Sequence, residues 1–479
     1  MTNSTNDLEV ARQRSLDQYA KTADKHLADL IALTAIPSIS FDGFDPAEVE
    51  KSAAMTAEIL KKAGLENIEI LRIPGTHPYV YADWLKAEGA PTVLLYAHHD
   101  VQPPLREALW KTPVFTATEK DGRLYARGIA DDKAGILIHA GSIAAWLETA
   151  GSLPINVKVM IEGEEEIGST HLSAFLEKYK ERLKADCMVL TDCSNIDTGL
   201  PSLTTTLRGL ISLDLTVTAL DHPLHSGMWG GPIPDPVQGL AKIIASLTDE
   251  KGRLSIPGIW DDVLAPSADE ISDFKKLALT DELFREQSGL EKGVELFGKD
   301  HELLTKMWRE PSLSINSIQS GGKKIAGNVI MDSAWARIGL RLVPNMQHSK
   351  AMQILTDYIK AQCPWGLKVE IIPEQGANPW MTKPDHKVFS VAKKSLTLGY
   401  SREAVFIGCG GTIPFVESFT RVLGELPALL VGIEDPYTNA HSENESLGLA
   451  DFHSSVRSQI HFFADLALAC IKDENFWKK

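Results

Sequence analysis

The sequence predicts an α/β fold in which a helix-covered, mostly parallel sheet is interrupted by a smaller inserted α+β domain. A chain of 479 residues is too long for one ordinary hydrophobic core. Short apolar runs alternate with helical patterns in the first part of the chain and again near its end. The middle part of the chain has the pattern of an α+β domain instead. We therefore expect one discontinuous domain over 1–202 and 385–479, with a second domain, 203–384, inserted into it.

The first segment begins with helices and continues into strands. Helical spacing covers 16–36 and 47–63, and these patterns stop at a proline and a glycine respectively. The runs that follow are rich in Val, Ile and Leu and predict strands: IEILRIP, VYADWL, TVLLYA, INVKVMI and CMVLT. Helical patterns at 132–150 and 169–183 separate the last three runs, as in an α/β sheet covered by helices.

The inserted segment has α+β patterning. Its alternating runs ISLDLTVTAL, SLSINSIQ and AWARIGLRLV predict strands, and 236–247 and 348–361 predict helices. The charged stretch 251–310 gives only short helical patches. After Pro384 the first pattern returns, with a helix, the strand AVFIG, another helix, the strand ALLVGI and a final helix over 449–471.

Composition narrows the range of partners and compartments. The chain has 48 basic and 64 acidic residues, a net charge of −16, and no basic cluster, which disfavours nucleic acid and anionic membranes as partners. The first fifteen residues lack the apolar segment of a secretory signal, and no apolar run has the length of a membrane span, so we expect a cytoplasmic protein. The 5 cysteines are widely spaced without a CxxC pair, which predicts reduced thiols.

Polar clusters follow directly on the predicted strands. In open α/β sheets, ligands bind beyond the carboxyl ends of the strands, so residues after several strands can share one crevice. A further acidic pair lies in a glycine-flanked segment before a helix. The clusters are His98-His99-Asp100, Asp131-Asp132, Glu162 with Glu164-Glu165-Glu166, Asp192, and the loop that ends at His441.

Imidazoles and carboxylates together suit two divalent ions that share a bridging carboxylate. Each cluster also has an ordinary interpretation. Acidic residues are common at helix N-termini, Asp192 is suited to capping a helix, and a single loop histidine such as His441 is more often a surface residue. The coincidence of five clusters favours a metal site. We find no HExxH, GxSxG, Walker A or GxGxxG pattern that would favour another chemistry.

Eight motifs occur in the order seen in one enzyme family: YAHHDVQP, RGIADDKAG, EGEEEIGS, LTD, HPLHSGMWGG, RLVPNM, GGTIP and NAHSENE. Over about residues 90–450 the chain resembles the co-catalytic dizinc metallopeptidase family of carnosinase-type cytosolic dipeptidases, aminoacylase, glutamate carboxypeptidase and succinyl-diaminopimelate desuccinylase. HHDVQPP and HSGMWGG resemble the dipeptidase branch most. The resemblance implies a dizinc catalytic domain over 1–202 and 385–479 and a lid and dimerisation domain over 203–384.

The resemblance also implies a ligand set for two Zn²⁺ ions per chain, although such sites accept Mn²⁺ or Co²⁺ as well. His98 and Asp192 match ligands of one metal, and Glu166 and His441 match ligands of the other. Asp131 matches the bridging carboxylate, after which the family typically has a cis peptide bond.

The remaining site residues are likewise implied by resemblance. Glu165 matches the general base, which takes a proton from water and later protonates the leaving amine, and Asp100 matches the carboxylate that orients its surroundings. His225 matches a histidine that, in dimeric relatives, reaches the partner subunit's site and stabilises the oxyanion. Arg341 matches the arginine that binds the substrate's terminal carboxylate. Further substrate contacts are implied for Asn328, Gly411 and Thr412.

Some neighbours of these residues have a structural interpretation. We expect His99 to be a spacer that packs away from the metals, and Lys133 to be structural. Around Asn328 the sequence GNVIMD departs from the usual Val-Ile-Pro. Gly408 and Cys409 stand where many dipeptidases of this family carry an Arg-Glu pair, a change that affects substrate selection and leaves the metal ligands intact.

Three functions remain open at this point. The first is hydrolysis of dipeptides or short peptides with a free carboxylate by a homodimeric metallopeptidase. The second is an N-acyl amino acid amidohydrolase, because the altered loop at 408–409 affects recognition of a free amino terminus. The third is a non-catalytic peptide-binding relative, which is disfavoured because Glu165 and the ligand positions all carry competent residues.

Overall fold

The structure is a computed structural model that describes residues 5–322, 327–374, 376–411, 414–424 and 426–477. The chain divides into two compact units. The first comprises Met1–Thr205, Lys383–Ile407 and Phe415–Lys479, and the second comprises Thr206–Thr382 and Gly408–Pro414. The second unit thus begins at Thr206 instead of residue 203, and it includes a short segment that the sequence pattern assigned to the first domain. The physical reason is that Arg208 binds the backbone of Gly410 and Gly411.

The helices and strands follow one another in three stretches of chain. The N-terminal stretch contains α1 (Thr5–Thr34), α2 (Pro46–Lys62), β1 (Glu66–Leu71), β2 (Tyr79–Trp84), β3 (Thr92–His98), β4 (Thr118–Lys120), β5 (Arg123–Tyr125), α3 (Lys133–Ala150), β6 (Asn156–Glu162), α4 (Leu172–Leu183) and β7 (Cys187–Leu190). The middle stretch contains β8 (Ser202–Leu207), β9 (Gly209–Thr218), β10 (Leu224–His225), α5 (Ser226–Trp229), α6 (Pro236–Ser246), α7 (Ala268–Lys276), α8 (Asp281–Ser288), α9 (His301–Arg309), β11 (Ser312–Gln319), β12 (Val329–Ile330), β13 (Ser333–Leu342), α10 (His348–Ala361), β14 (Lys368–Pro373) and β15 (Trp380–Met381). The C-terminal stretch contains α11 (Lys387–Tyr400), β16 (Val405–Cys409), α12 (Pro414–Leu423), β17 (Ala428–Val431), β18 (Ser446–Gly448) and α13 (Leu449–Lys472).

The central sheet of the first unit has a parallel centre and antiparallel flanks. Its strand order is β1-β2-β6-β3-β7-β17-β8. The neighbours β6, β3, β7 and β17 run parallel, whereas β1, β2 and β8 join antiparallel. Nearly every residue of β3 and β6 is buried, as expected of strands covered on both faces. The predicted α/β fold with a helix-covered, mostly parallel sheet is therefore confirmed.

Helices α1, α3, α11 and α13 pack against one another in the same unit. Residues 133–146 of α3 are buried without interruption, and the helix ends at Gly151 in the left-handed conformation. Helix α1 begins at Thr5 rather than at residue 16 as predicted. The first turns of this helix are mostly polar, so the sequence pattern did not predict them. Leu8 lies in these turns and is buried, which stabilises the helix towards its N-terminus.

The second unit is an α+β layer. Its antiparallel sheet has the order β11-β13-β9-β14, and α6 and α10 contribute apolar side chains to the same core. Burial alternates along β9, where Ile211, Leu213, Leu215 and Val217 face the core. The charged stretch 251–310, which gave only short helical patches, contains α7, α8 and α9.

Two expectations concern membranes and disulfides. Within the described ranges, no helix combines the length and the apolar character needed to span a bilayer. All cysteines lie in the described part of the chain, and none of them forms a disulfide. The prediction of reduced thiols agrees with this arrangement.

Candidate metal centre

The predicted ligands meet at the carboxyl ends of the parallel strands. His98 is the last residue of β3, and Asp192 follows β7. Glu165 and Glu166 lie in a short 3-10 turn directly after β6. The chain beyond β17 leads to His441. Because these strands are parallel neighbours, their ends lie at one edge of the sheet and bring the side chains into one crevice.

Asp131 lies at the centre of this cluster. Its Oδ1 lies 3.0 Å from His98 Nε2, and its Oδ2 lies 3.1 Å from His441 Nε2. His441 Nε2 also lies 3.2 Å from Glu166 Oε2. Each oxygen of one carboxylate therefore faces a different imidazole, which is the arrangement required of a group that bridges two cations.

Two groups of possible ligand atoms result. His98, Glu165 and Asp192 form one group, and Asp131, Glu166 and His441 form the other, with the ligand atoms of each group within 4.8 Å of one another. Imidazole nitrogen and carboxylate oxygen are the donors that zinc and similar divalent ions accept. The residues present therefore fit a dinuclear site.

Burial makes this collection of acids unfavourable on its own. It raises the pKa of Glu165, with a further contribution from Asp192, and it raises the pKa of Glu166, with a further contribution from Asp131. Burial also raises the pKa of Asp192 to about 6. Asp131 is the exception, because hydrogen bonds from His441 and His98 outweigh burial and lower its pKa. Divalent cations would relieve the repulsion among these carboxylates.

Asp100 links both halves of the cluster. Its Oδ1 accepts a hydrogen bond from the backbone N–H of Glu165 at 3.2 Å, and its Oδ2 accepts one from that of Glu166 at 3.0 Å. Oδ2 also accepts from the Ser40 hydroxyl at 2.7 Å. The backbone carbonyl of Asp100 lies 3.1 Å from His98 Nδ1. Asp100 thereby fixes the position of the His98 ring and of the Glu165-Glu166 turn together.

Sequence analysis missed the role of Glu445, which organises the loop before Asp131. Its Oε1 accepts hydrogen bonds from the N–H groups of Ala130 and Asp131, at 3.1 and 3.2 Å. Its Oε2 accepts from the Gly128 N–H and from Arg127 Nη1, both at 2.8 Å. Glu445 is fully buried. A buried carboxylate with four donors thus holds the backbone that carries Asp131.

Glu434 and Arg127 were missed as well. Glu434 follows β17 and accepts a hydrogen bond from the Ser194 hydroxyl at 2.8 Å. Burial, then the charges of Asp131 and Asp192, raise the pKa of Glu434. Arg127 donates from Nη2 to the carbonyl of Ser442, next to His441. The positions of Glu445 in the motif NAHSENE and of Arg127 at the start of the motif RGIADDKAG were usable signals.

The residues expected to be structural point away from the cluster. His99 Nε2 lies 2.9 Å from the carbonyl of Pro78. Lys133 Nζ donates to the carbonyls of Leu33 and Ile36, at 3.1 and 2.7 Å. The peptide bond between Asp131 and the next residue is cis.

The other two glutamates of the acidic cluster have internal partners. The Tyr79 hydroxyl lies 3.1 Å from Glu162 Oε1 and 3.0 Å from Glu164 Oε1. Tyr96 donates to Glu162, and the backbone N–H of His171 donates to Glu164 at 3.1 Å. Both carboxylates are fully buried. The run Glu164-Glu165-Glu166 is therefore not a solvated helix N-terminus, which was the ordinary interpretation of its sequence.

The remaining predicted site residues belong to the second unit. His225 is exposed at the end of β10, and its Nδ1 accepts from the Gly227 N–H at 3.1 Å. Asn328 lies beside it, because its carbonyl accepts from the N–H of Ser226 at 2.9 Å. Arg341 is partly buried on β13, and Gly411 accepts a backbone hydrogen bond from Arg208. Thr412 lies outside the described residues.

The sequence and the fold are similar to those of known dipeptidases. The chain is 32% identical over 376 residues to the cysteinylglycine-S-conjugate dipeptidase of Corynebacterium striatum, covering 78% of this chain and 80% of that protein. It is 30% identical over 444 residues to the human beta-Ala-His dipeptidase, covering 88% and 85%. The crystal structure of human carnosine dipeptidase 1 superposes with a TM-score of 0.84 at 28% identity, covering 95% of this chain and 99% of that one.

A family model confirms the resemblance on which the site residues were assigned. The model described as peptidase family M20/M25/M40 matches residues 94–465, a range that includes every predicted metal ligand. The predicted class of enzyme, a hydrolase of peptide bonds, is thereby confirmed. By its sequence, its fold and the residues at the ends of its parallel strands, the chain belongs to peptidase family M20/M25/M40.

Proposed function

We propose that the protein is a dinuclear metallodipeptidase that hydrolyses the amide bond of dipeptides or short peptides with a free terminal carboxylate. One observation carries the proposal. The two oxygens of Asp131 face the Nε2 atoms of His98 and His441 at 3.0 and 3.1 Å, so two neighbouring cation positions would share one carboxylate. The names of the dipeptidases similar to this chain support dipeptides as the substrate class.

Five residues would hold the metals. His98 and Asp192 would bind one ion, Glu166 and His441 the other, and Asp131 both. When bound, two such ions polarise the substrate carbonyl and acidify water. We propose Zn²⁺ as the native ion, with Mn²⁺ or Co²⁺ as alternatives that this donor set also accepts.

The protein's own groups would then move the proton and fix the geometry. Glu165 would take a proton from the attacking water on its carboxylate and deliver it to the nitrogen of the leaving amine. Asp100 supports this role because it holds the backbone N–H of Glu165 at 3.2 Å. Glu165 is half-buried, which limits the access of solvent to its carboxylate.

The second unit would bind the substrate and a second subunit. We propose that Arg341 binds the terminal carboxylate and that His225 of the partner subunit stabilises the oxyanion. Substrate contacts at Asn328, Gly411 and Thr412 stay predictions. Beside His225, the side chains of Met228 and Trp229 are 77% and 54% exposed, which favours burial against another subunit. The homodimer and the cytoplasmic location stay predictions as well.

The test is hydrolysis of unblocked dipeptides by chelator-stripped protein, with and without added Zn²⁺ or Mn²⁺. We expect metal-restored release of free amine from Ala-Ala and no release from N-acetyl-Ala-Ala. The reverse preference would favour the amidohydrolase. The variant Glu165→Gln should bind the same amount of metal and lose turnover by at least a hundredfold, and near-normal turnover would exclude Glu165 as the base.

A further inference from the structure

Two guanidinium groups lie on one face of the second unit. Arg341 on β13 pairs directly with Ser312 on β11. Paired residues of antiparallel strands present their side chains on the same face of the sheet. The Ser312 hydroxyl accepts a hydrogen bond from Arg208 Nη1 at 2.9 Å. Arg208 therefore reaches the face that carries Arg341, the residue proposed to bind the substrate's terminal carboxylate.

The segment 408–411 holds Arg208 in this position. Arg208 Nε donates to the carbonyl of Gly410 at 2.8 Å, and the Arg208 backbone N–H donates to the carbonyl of Gly411 at 3.1 Å. A Cβ at Gly410 would lie 3.1 Å from Arg208 Nη2, so a glycine lets the guanidinium lie close to the chain. Within the described ranges, the Arg208 side chain donates hydrogen bonds to uncharged groups, which are the Gly410 carbonyl and the Ser312 hydroxyl.

This arrangement favours an anion beside the two guanidinium groups. Burial, and then the nearby charge of Arg341, lower the pKa of Arg208 to about 10. Burial also lowers the pKa of Arg341. Two like charges in a partly desolvated place repel each other, and an anion bound there reduces that repulsion. A planar guanidinium is suited to bind a carboxylate.

The departure from the family pattern lies at the same place. Cys409 stands where many relatives have Glu, and its thiol lies close to both guanidinium groups. A carboxylate at this position would neutralise an arginine from within the protein, whereas Cys409 offers a thiol, which is a weaker hydrogen-bond acceptor. Gly408 cannot accommodate the family's Arg, because a Cβ there would lie 2.6 Å from Trp308 Cγ.

We propose that Arg208 binds the side-chain carboxylate of an acidic C-terminal residue of the substrate, while Arg341 binds the terminal carboxylate. This inference rests on the proposed dipeptidase function and narrows it. The preferred substrates are dipeptides that end in Glu or Asp. Arg208 is then a specificity-determining residue that discriminates between charged and uncharged side chains.

The test compares Ala-Glu with Ala-Gln, two dipeptides of nearly equal size that differ in charge. The metal-loaded protein should cleave Ala-Glu with a kcat/KM at least tenfold above that for Ala-Gln. This ratio corresponds to about 1.4 kcal/mol of transition-state binding. Arg208→Gln should bring this ratio close to one, and Arg208→Lys should retain part of it. Ser312→Ala is the matched control, because it removes one acceptor of Arg208 and keeps the charge, so the preference should persist.

The possible failures are distinguishable. A wild-type protein that cleaves Ala-Gln as well as Ala-Glu refutes the inference and leaves the dipeptidase function standing. Equal losses for both substrates in Arg208→Gln, with an unchanged ratio, also refute it, because Arg208 would then act only through the backbone of Gly410 and Gly411. If neither peptide nor Ala-Ala is cleaved after metal loading, the proposed function itself fails.

Discussion

Replacement of Glu445 by Gln would test how the bridging carboxylate is positioned. Each carboxylate oxygen of Glu445 accepts two hydrogen bonds, from Ala130 and Asp131 on one side and from Arg127 and Gly128 on the other. Glutamine replaces one oxygen by an amide NH₂, which is itself a donor. In either orientation of the amide, two buried donors lose their acceptor.

The cost follows from the number of donors. A buried donor without an acceptor costs about 1–3 kcal/mol, so two of them destabilise the loop by about 2–6 kcal/mol. At about 1.4 kcal/mol per factor of ten, the lower value already corresponds to an open population of the loop that is about thirtyfold larger at equilibrium. We expect the amides of Gly128, Ala130 and Asp131 to lose at least that much protection from hydrogen exchange.

Hydrogen exchange followed by mass spectrometry on the chelator-stripped protein measures this loss without any contribution from metal. The matched control is Glu443→Gln, in the same loop, because Glu443 pairs with Arg106, whose side chain is 73% exposed. The control should leave exchange in 128–131 unchanged. Exchange in Glu445→Gln within threefold of the wild type would refute the role assigned to this carboxylate.

Three further substitutions have defined outcomes. Asp131→Asn keeps one of the two oxygens that face His98 and His441, so metal content measured by mass spectrometry should fall below two ions per chain; full occupancy would contradict the bridge. Asp100→Asn cannot accept from both backbone N–H groups of the Glu165-Glu166 turn, and turnover or metal affinity should fall about 10- to 100-fold; wild-type values for both would contradict its role. Burial lowers the pKa of His461 to about 4, so the unfolded chain binds a proton that the folded chain does not, and stability falls as pH decreases from about 6.5 to 4. His461→Gln should therefore show a smaller decrease in Tm between pH 7 and 5 than the wild type, and an equal decrease would contradict this assignment.

The sheet and the meeting of the polar clusters at its edge were predictable because the relevant signals are local in the sequence. Strand β3 is an almost continuous apolar run, and β6 is a Val- and Ile-rich run that contains Lys158. A polar cluster follows each strand directly. The rule that parallel strands end at one edge then places His98 near the Glu165-Glu166 turn without knowledge of the strand order.

The features that sequence analysis missed depend on distant backbone atoms. Glu445 accepts from N–H groups more than 300 residues away in the chain, and a backbone donor has no residue type that marks it. The segment 408–414 groups with the second unit because Arg208 binds its backbone carbonyls, again independently of side-chain identity. Helix α1 extends to Thr5 through a mostly polar segment in which Leu8 and Ser15 are buried.

The place of β17 in the sheet sets the time at which the site can form during synthesis. This strand lies between β7 and β8, although both of them precede it by more than 200 residues in the chain. A growing chain is made from its N-terminus, and a domain can complete its fold only when its last strand has left the ribosome. His98, Asp131 and Asp192 are thus synthesised long before β17 and His441. Nascent chains should therefore gain full metal-binding capacity only after β17 and His441 have left the ribosome.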